Sequence, residues 1–258
     1  MRPVIPPIPQ RITPRRQRLY RLAAVLIWFA VWQMAAIIID REIFLPGPIL
    51  VLCTLLRLAG TADFWHCVLF SMYNIAAGYT LAVLGGLFLA WLSYSSPLIK
   101  AIISLPLKII RTVPVASFII LALLWISSKK LSMLISFLMV LPIVYENILC
   151  GLSSTERSLL EMAAVVRMPL FKKLGMIYRP ALMPHLYSAL STGAGLAWKS
   201  GIAAEVIGIT KNSIGNRLYQ SKIYLETPEL FAWTLTVIII SLCFEALIKF
   251  AVKKGGSL

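Results

Sequence analysis

Four ionisable residues lie in or beside long apolar runs of this sequence: Glu146, Lys199, Glu205 and Glu245. A charge at the centre of a membrane helix costs roughly 2.5–3.5 kcal/mol, so such residues are candidates for counter-ion pairs, buried hydrogen-bond sets or contacts with a polar solute. Lys199 suits an anionic solute, and it suits equally the neutralisation of Glu146 or Glu205. Glu205, at the end of its run, is a candidate outer gate or solute contact, with a plain interfacial position as the alternative. Glu245 has Lys249 four residues on, the spacing of a helix-surface ion pair. Asn147 and Trp198, which adjoin Glu146 and Lys199, complete the candidate pathway set.

Other chemistries are poorly served. Residues 193–200 read G-A-G-L-A-W-K-S and miss the phosphate-binding pattern GxxxxGK[ST] because Trp198 replaces the second glycine; no strand precedes them. There is no Ser/His/Asp set and no HExxH, and His66 and His185 stand apart, so no metal site is expected. Cys53, Cys67, Cys150 and Cys243 lack CxxC spacing and read as small apolar residues; Cys53 and Cys67 are the one pair placed in a common connection where a bridge is conceivable.

These residues need long apolar elements to hold them. Of 258 residues, 59% are apolar and 14% charged, and the mean hydropathy is +0.85. A soluble chain cannot keep that much apolar surface from water. At roughly 20 residues per crossing, the runs at about 19–39, 67–92, 112–127, 131–150, 181–204 and 230–250 predict an all-α integral membrane protein with about six spans. Residues 97–127 carry Pro106 and Pro114 with Lys108 and Arg111, which predicts a short interfacial helix followed by a broken span. The predicted organisation is a basic, proline-rich cytoplasmic tail over 1–18, a membrane domain over 19–252 and a short tail over 253–258.

The net charge of +15 is a question of side. Sorted by predicted segment with the N-terminus inside, 17 of the 25 Lys and Arg fall on the cytoplasmic face and seven outside, with Lys199 within a span. The excess follows the positive-inside rule, places both termini in the cytoplasm and calls for no nucleic acid.

The longest polar connection, at about 152–180, is written as helix. Ser153 with Glu156 and Ser158 with Glu161 match the Ser-x-x-Glu capping box. Leu159, Met162, Ala163 and Val166 then recur at i, i+3, i+4 and i+7. Met168-Pro169 ends this helix and opens a second that runs toward Pro180. Periodicity alone fits a helix lying on lipid or a docking element for a soluble partner. In the membrane, Ala189, Gly193, Ala197 and Gly201 form a small-residue stripe at intervals of four, and Gly78, Ala82 and Gly86 repeat it. Such stripes admit close helix packing, within one subunit or between two.

Here the sequence resembles a family. Glu161-Met162-Ala163-Ala164, with Ile177 and Pro180 downstream, is similar to the EAA loop of ATP-binding-cassette importer permeases, written Glu-Ala-Ala, three residues, Gly, nine residues, Ile-x-Leu-Pro. Met162 replaces the first Ala, Arg167 the Gly and Arg179 the Leu. Leu45-Pro46-Gly47-Pro48, Ser71 to Gly78, Arg111-Thr112-Val113-Pro114, Pro142 with Asn147 and Gly151, Pro184, Ala197-Trp198, and Ala204-Glu205 with Gly208 follow in family order. The resemblance runs from about 45 to 250 and points to the sulfonate, taurine and nitrate branch, which includes importers of thiamine-precursor pyrimidines.

The resemblance implies the type I importer permease (MetI-like) fold in a bacterial inner membrane. It implies two cassette ATPase subunits, a second permease copy and an external solute-binding protein as partners, with ATP and Mg on the ATPases and no cofactor on this chain. Glu161, Ala163, Ala164, Arg167, Pro169, Ile177 and Pro180 would form the ATPase-coupling loop. A secondary transporter and a non-transporting membrane scaffold are the competing readings; no inverted repeat speaks for the former.

Overall fold

The computed structural model describes residues 14–256, and all regular structure among them is helical. The elements are α1 (Pro14–Ile39), α2 (Pro48–Ala59), α3 (Ala62–Ser95), α4 (Pro97–Thr112), α5 (Val115–Ala122), α6 (Ser128–Ser153), α7 (Arg157–Val165), α8 (Leu170–Lys173), a π-helical turn (Leu174–Tyr178), α9 (Arg179–Ile207), α10 (Ile214–Ile223) and α11 (Thr227–Gly256). Local chemistry sets many of the starts. Pro48 and Pro97 open α2 and α4, where a missing N–H costs nothing. Thr61 and Ser213 cap α3 and α10 by accepting from Phe64 N at 3.3 Å and Asn216 N at 3.1 Å.

Helices α3, α6 and α9 form the centre, and their small-residue stripes make it possible. A Cβ on Gly78 would lie 2.2 Å from the Met133 carbonyl oxygen, and one on Gly201 would lie 2.6 Å from Ile75 Cγ1. Gly86 sits against Val144 and Gly193 against Val140, while Ala82, Ala189 and Ala197 are fully buried. The stripes are therefore spent on packing within the chain. Hydrogen bonds between helices add direction: Ser136 donates to the Ala197 carbonyl at 3.0 Å and Tyr79 to that of Leu190 at 3.0 Å.

Four helices have the length and composition to cross a membrane, within α1, α3, α6 and α11, and a fifth span arises if α4 and α5 count as one. That pair is bent by 103°, as the prolines predict, and the eight residues of α5 reach only about 12 Å. The expected span at 181–204 is the centre of α9, whose 29 residues are long enough but which carries Pro184, His185, Lys199 and Glu205 and is not among the apolar four. Half of the apolar window in α6 is buried, against none of that in α1 and 6% of that in α11. Lipid is the natural neighbour of the outer two.

Two boundaries differ from expectation, and two short helices are additional. Residues 1–13 of the predicted tail lie outside the described residues, but 14–18 are helical. At the other end α11 continues through Lys253 and Lys254 to Gly256. Helices α2 and α10, expected as loop, are short helices too small to cross. All four cysteines are free, so Cys53 and Cys67 form no bridge.

Candidate functional site

The connection from α6 to α9 forms a helical knob beyond the end of the packed pair. The expected capping boxes are absent. Ser153 is consumed as the last residue of α6, where Ser154 Oγ donates to the Gly151 carbonyl at 2.9 Å. Glu156 occupies the N-cap of α7 without a side-chain capping bond, and Ser158 lies inside the helix, its hydroxyl donating to Glu156 Oε2 at 3.4 Å. At the other end, Met168 N donates to the Ala163 carbonyl at 2.9 Å and Arg167 N to that of Ala164 at 3.1 Å, the paired bonds of a Schellman motif. Arg167 sits at φ 51°, so the sharp turn forms without the glycine that this conformation favours. Lys173 N donates to the Pro169 carbonyl at 3.1 Å, and α8 runs directly into the π turn. There Arg179 N reaches back five residues to the Leu174 carbonyl, and Pro180, which has no N–H, follows.

Exposure divides the knob in two. Ala163 (2% exposed) and Ile177 face the chain, so Ala163 is not available to a partner. Glu161, Ala164, Arg167, Pro169 and Pro180 are exposed, with Met162, Val165 (83%), Val166 and Phe171 (91%) beside them. A cavity of about 320 Å³ beneath the knob is lined by Trp91, Tyr94, Leu152 and Tyr178. Burial, and then the neighbouring Tyr94 hydroxyl, pushes the Tyr178 phenol up to about 12, so it stays neutral at physiological pH. The exposed cluster is apolar and is rimmed by Glu161, Arg167 and Lys172.

The membrane charges resolve individually. Glu146 pairs with Arg111 across the α4–α6 contact, a partner 35 positions away. Asn147 Nδ2 donates to the Ile143 carbonyl at 2.9 Å and is engaged on its own helix. Trp198 is 1% exposed and packs edge-on against Phe244 with ring centroids 6.0 Å apart, within the core. Glu205 is fully buried: its Oε2 accepts from Ser71 Oγ at 2.7 Å and from Gly215 N at 3.2 Å. Ser71 Oγ also accepts from Ile214 N at 3.0 Å, which ties the start of α10 to α3. The spaced pair Glu245–Lys249 forms at 2.5 Å, with Ser191 Oγ donating to the same carboxylate at 3.3 Å. Lys199 is exposed and pairs with neither Glu146 nor Glu205.

Two ion pairs on the outer ends escaped the sequence reading, Arg57–Glu229 at 3.1 Å and Arg217–Asp63. Their members lie 172 and 154 positions apart, and no local pattern links them. Residues 193–200 are helical throughout, and a helix offers no cradle of free amides for a phosphate. No His/Cys/Asp/Glu group suited to a metal occurs among the described residues.

Residues 82–254 match the family model described as binding-protein-dependent transport system inner membrane component. A putative aliphatic sulfonates transport permease protein of Bacillus subtilis is 23% identical over 236 residues, 90% of this chain and 84% of the relative. The taurine transport system permease protein of Escherichia coli is 26% identical over 231 residues, covering 87% and 82%. The nitrate import permease protein of Synechococcus elongatus is 23% identical over 192 residues, covering 70% and 68%.

Proposed function

The chain belongs to the binding-protein-dependent transport system inner membrane component family, and from that premise we propose that it forms the translocation pathway of an ATP-driven importer for a small solute handed over by an external binding protein. It is a membrane transport subunit and not an enzyme. The energy comes from separate cassette ATPases, a reading supported by the permease relatives. Two permease copies work with two ATPases, and ATP and Mg reside on the latter. Both termini lie in the cytoplasm of a bacterial inner membrane, in keeping with the 17 basic residues assigned to that face.

The observation that carries this reading is the exposed apolar knob. Val165, Val166 and Phe171 stand out beyond the membrane helices next to Glu161 and Arg167. The Schellman turn fixes the angle between α7 and α8, so force applied to the knob is delivered to α6 and α9 on either side of it. That is how closure of an ATPase pair would turn the permease from inward-facing to outward-facing. The solute class is read from the relatives, whose names specify aliphatic sulfonates, taurine and nitrate; a thiamine-precursor pyrimidine is a further candidate.

The test is uptake by proteoliposomes that contain this chain, its ATPase and its binding protein. Glu161→Lys is expected to insert and melt as the parent does while ATP-dependent uptake falls at least tenfold. Unchanged uptake in that variant would overturn the coupling assignment.

A further inference from the structure

Helix α9 keeps one polar side uncovered. Ser188, Thr192, Gly195 and Lys199 recur at i, i+4, i+7 and i+11, which places them on one face. Ser188, Thr192 and Lys199 are exposed, and a Cβ on Gly195 would meet nothing within 4 Å. The opposite side carries the Gly193 and Gly201 contacts with α6 and α3, and Trp198 turns toward Phe244 of α11. The open face is thus the side that its neighbours leave free.

Lys199 lies eight residues before Ile207, the end of α9, or about 12 Å along the axis. An ammonium that faces lipid there is costly, and Ser188 and Thr192 lie deeper still on the same face. The acidic residues of the membrane helices offer it no counter-charge. Glu146 is held by Arg111, Glu205 by Ser71 and Gly215, Glu245 by Lys249 and Ser191, and, at the helix ends, Asp63 by Arg217 and Glu229 by Arg57. A second copy of the chain would bring the same five carboxylates, equally engaged. Water and a mobile anion are occupants that keep the ammonium solvated or paired.

We propose that this face of α9 lines the solute pathway and that Lys199 is its charge-reading residue, which selects small anions over cations. The inference rests on the pathway reading given above and adds to it the sign of the solute and the residue that senses it. Lys199 acts as a fixed positive charge beside the passing anion, with the Ser188 and Thr192 hydroxyls as hydrogen-bond donors below it.

Two thiol reagents of opposite charge test this without knowledge of the native solute. The four native cysteines are replaced by alanine, Gly195→Cys is introduced, and the chain is assembled with its ATPase in liposomes. The probes are methanethiosulfonate ethylsulfonate and its ethyltrimethylammonium counterpart. Gly195 is one turn from Lys199, with about 6 Å between Cβ positions. Opposite unit charges at that distance in water alter each rate about threefold in opposite senses. The anionic reagent is expected to react faster, Lys199→Gln to lower the anion-to-cation rate ratio about tenfold, and Lys199→Arg to preserve it. A ratio indifferent to Lys199→Gln would overturn the proposal, as would an introduced thiol that neither reagent reaches with or without ATP. Neither result touches the importer reading, which stands or falls on coupled uptake and on Glu161→Lys.

Discussion

Ser71 donates its hydroxyl to Glu205 at 2.7 Å across 134 positions of sequence, and the same oxygen accepts the amide of Ile214. One buried serine therefore joins α3, α9 and α10. Glu205→Ala leaves the Ser71 hydroxyl and the Gly215 amide without their acceptor, at a cost of about 1–3 kcal/mol. A lower unfolding temperature, read by tryptophan fluorescence in detergent, is the expected outcome, with a smaller loss in Glu205→Gln, whose amide oxygen still accepts from Ser71. Melting of both variants at the parent temperature would show that the network contributes nothing.

The turn at Arg167 departs from family habit and should respond accordingly. A non-glycine residue in the left-handed region costs about 1 kcal/mol, and Arg167 sits at φ 51°. Arg167→Gly is expected to slow amide exchange at positions 167 and 168 about fivefold, and Arg167→Val, with a branched Cβ, to speed it. Exchange rates that ignore both changes would contradict the Schellman geometry.

Two glycines on one helix give opposite expectations. A side chain at Gly201 meets Ile75 Cγ1 at 2.6 Å and Ser136 Oγ at 2.7 Å, whereas Gly195 faces open space. Gly201→Leu is predicted to abolish a monodisperse purified protein and Gly195→Leu to leave it intact, as judged by size-exclusion chromatography. Equal tolerance would place α9 in a different rotation against α3 and α6.

Arg111 and Glu146 are both partly exposed, with side chains 63% and 43% accessible, so their attraction is modest. A double-mutant cycle with Arg111→Leu and Glu146→Leu is expected to give a coupling of about 1 kcal/mol in thermal unfolding. The exchange Arg111→Glu with Glu146→Arg should recover most of the loss. Independent effects of the two leucine substitutions would mean that the pair is not formed in the bilayer.

How much of this was written in the sequence follows from the range of each interaction. Apolar runs and stripes of four are local, so α1, α3, α6, α9, α11 and the packing role of Gly78 and Gly201 were open to reading, as was Glu245–Lys249 at one helical turn. The bend near Pro114 was legible for the same reason. Long-range partners were not: nothing near Glu146 names Arg111, and nothing near Glu205 names Ser71. The capping boxes misled because Ser153 satisfies the pattern yet still belongs to the preceding helix, whose packing against α9 carries it to the first residue of the motif. Ala163 misled in a similar way, since a motif position does not reveal which side of a short helix is covered; here it is the buried one.

The central claim is that the knob between α6 and α9 receives the ATPase. Phe171, at 91% exposed, and Val165, at 83%, are the most exposed large apolar side chains among the described residues and support no part of the core. The most direct measurement is recovery of the cassette ATPase with the affinity-purified permease, for the parent and for the double variant Val165→Asp with Phe171→Asp. The account predicts stoichiometric ATPase with the parent and a loss of at least tenfold with the variant at an unchanged unfolding temperature; equal recovery from a variant that melts normally would contradict it.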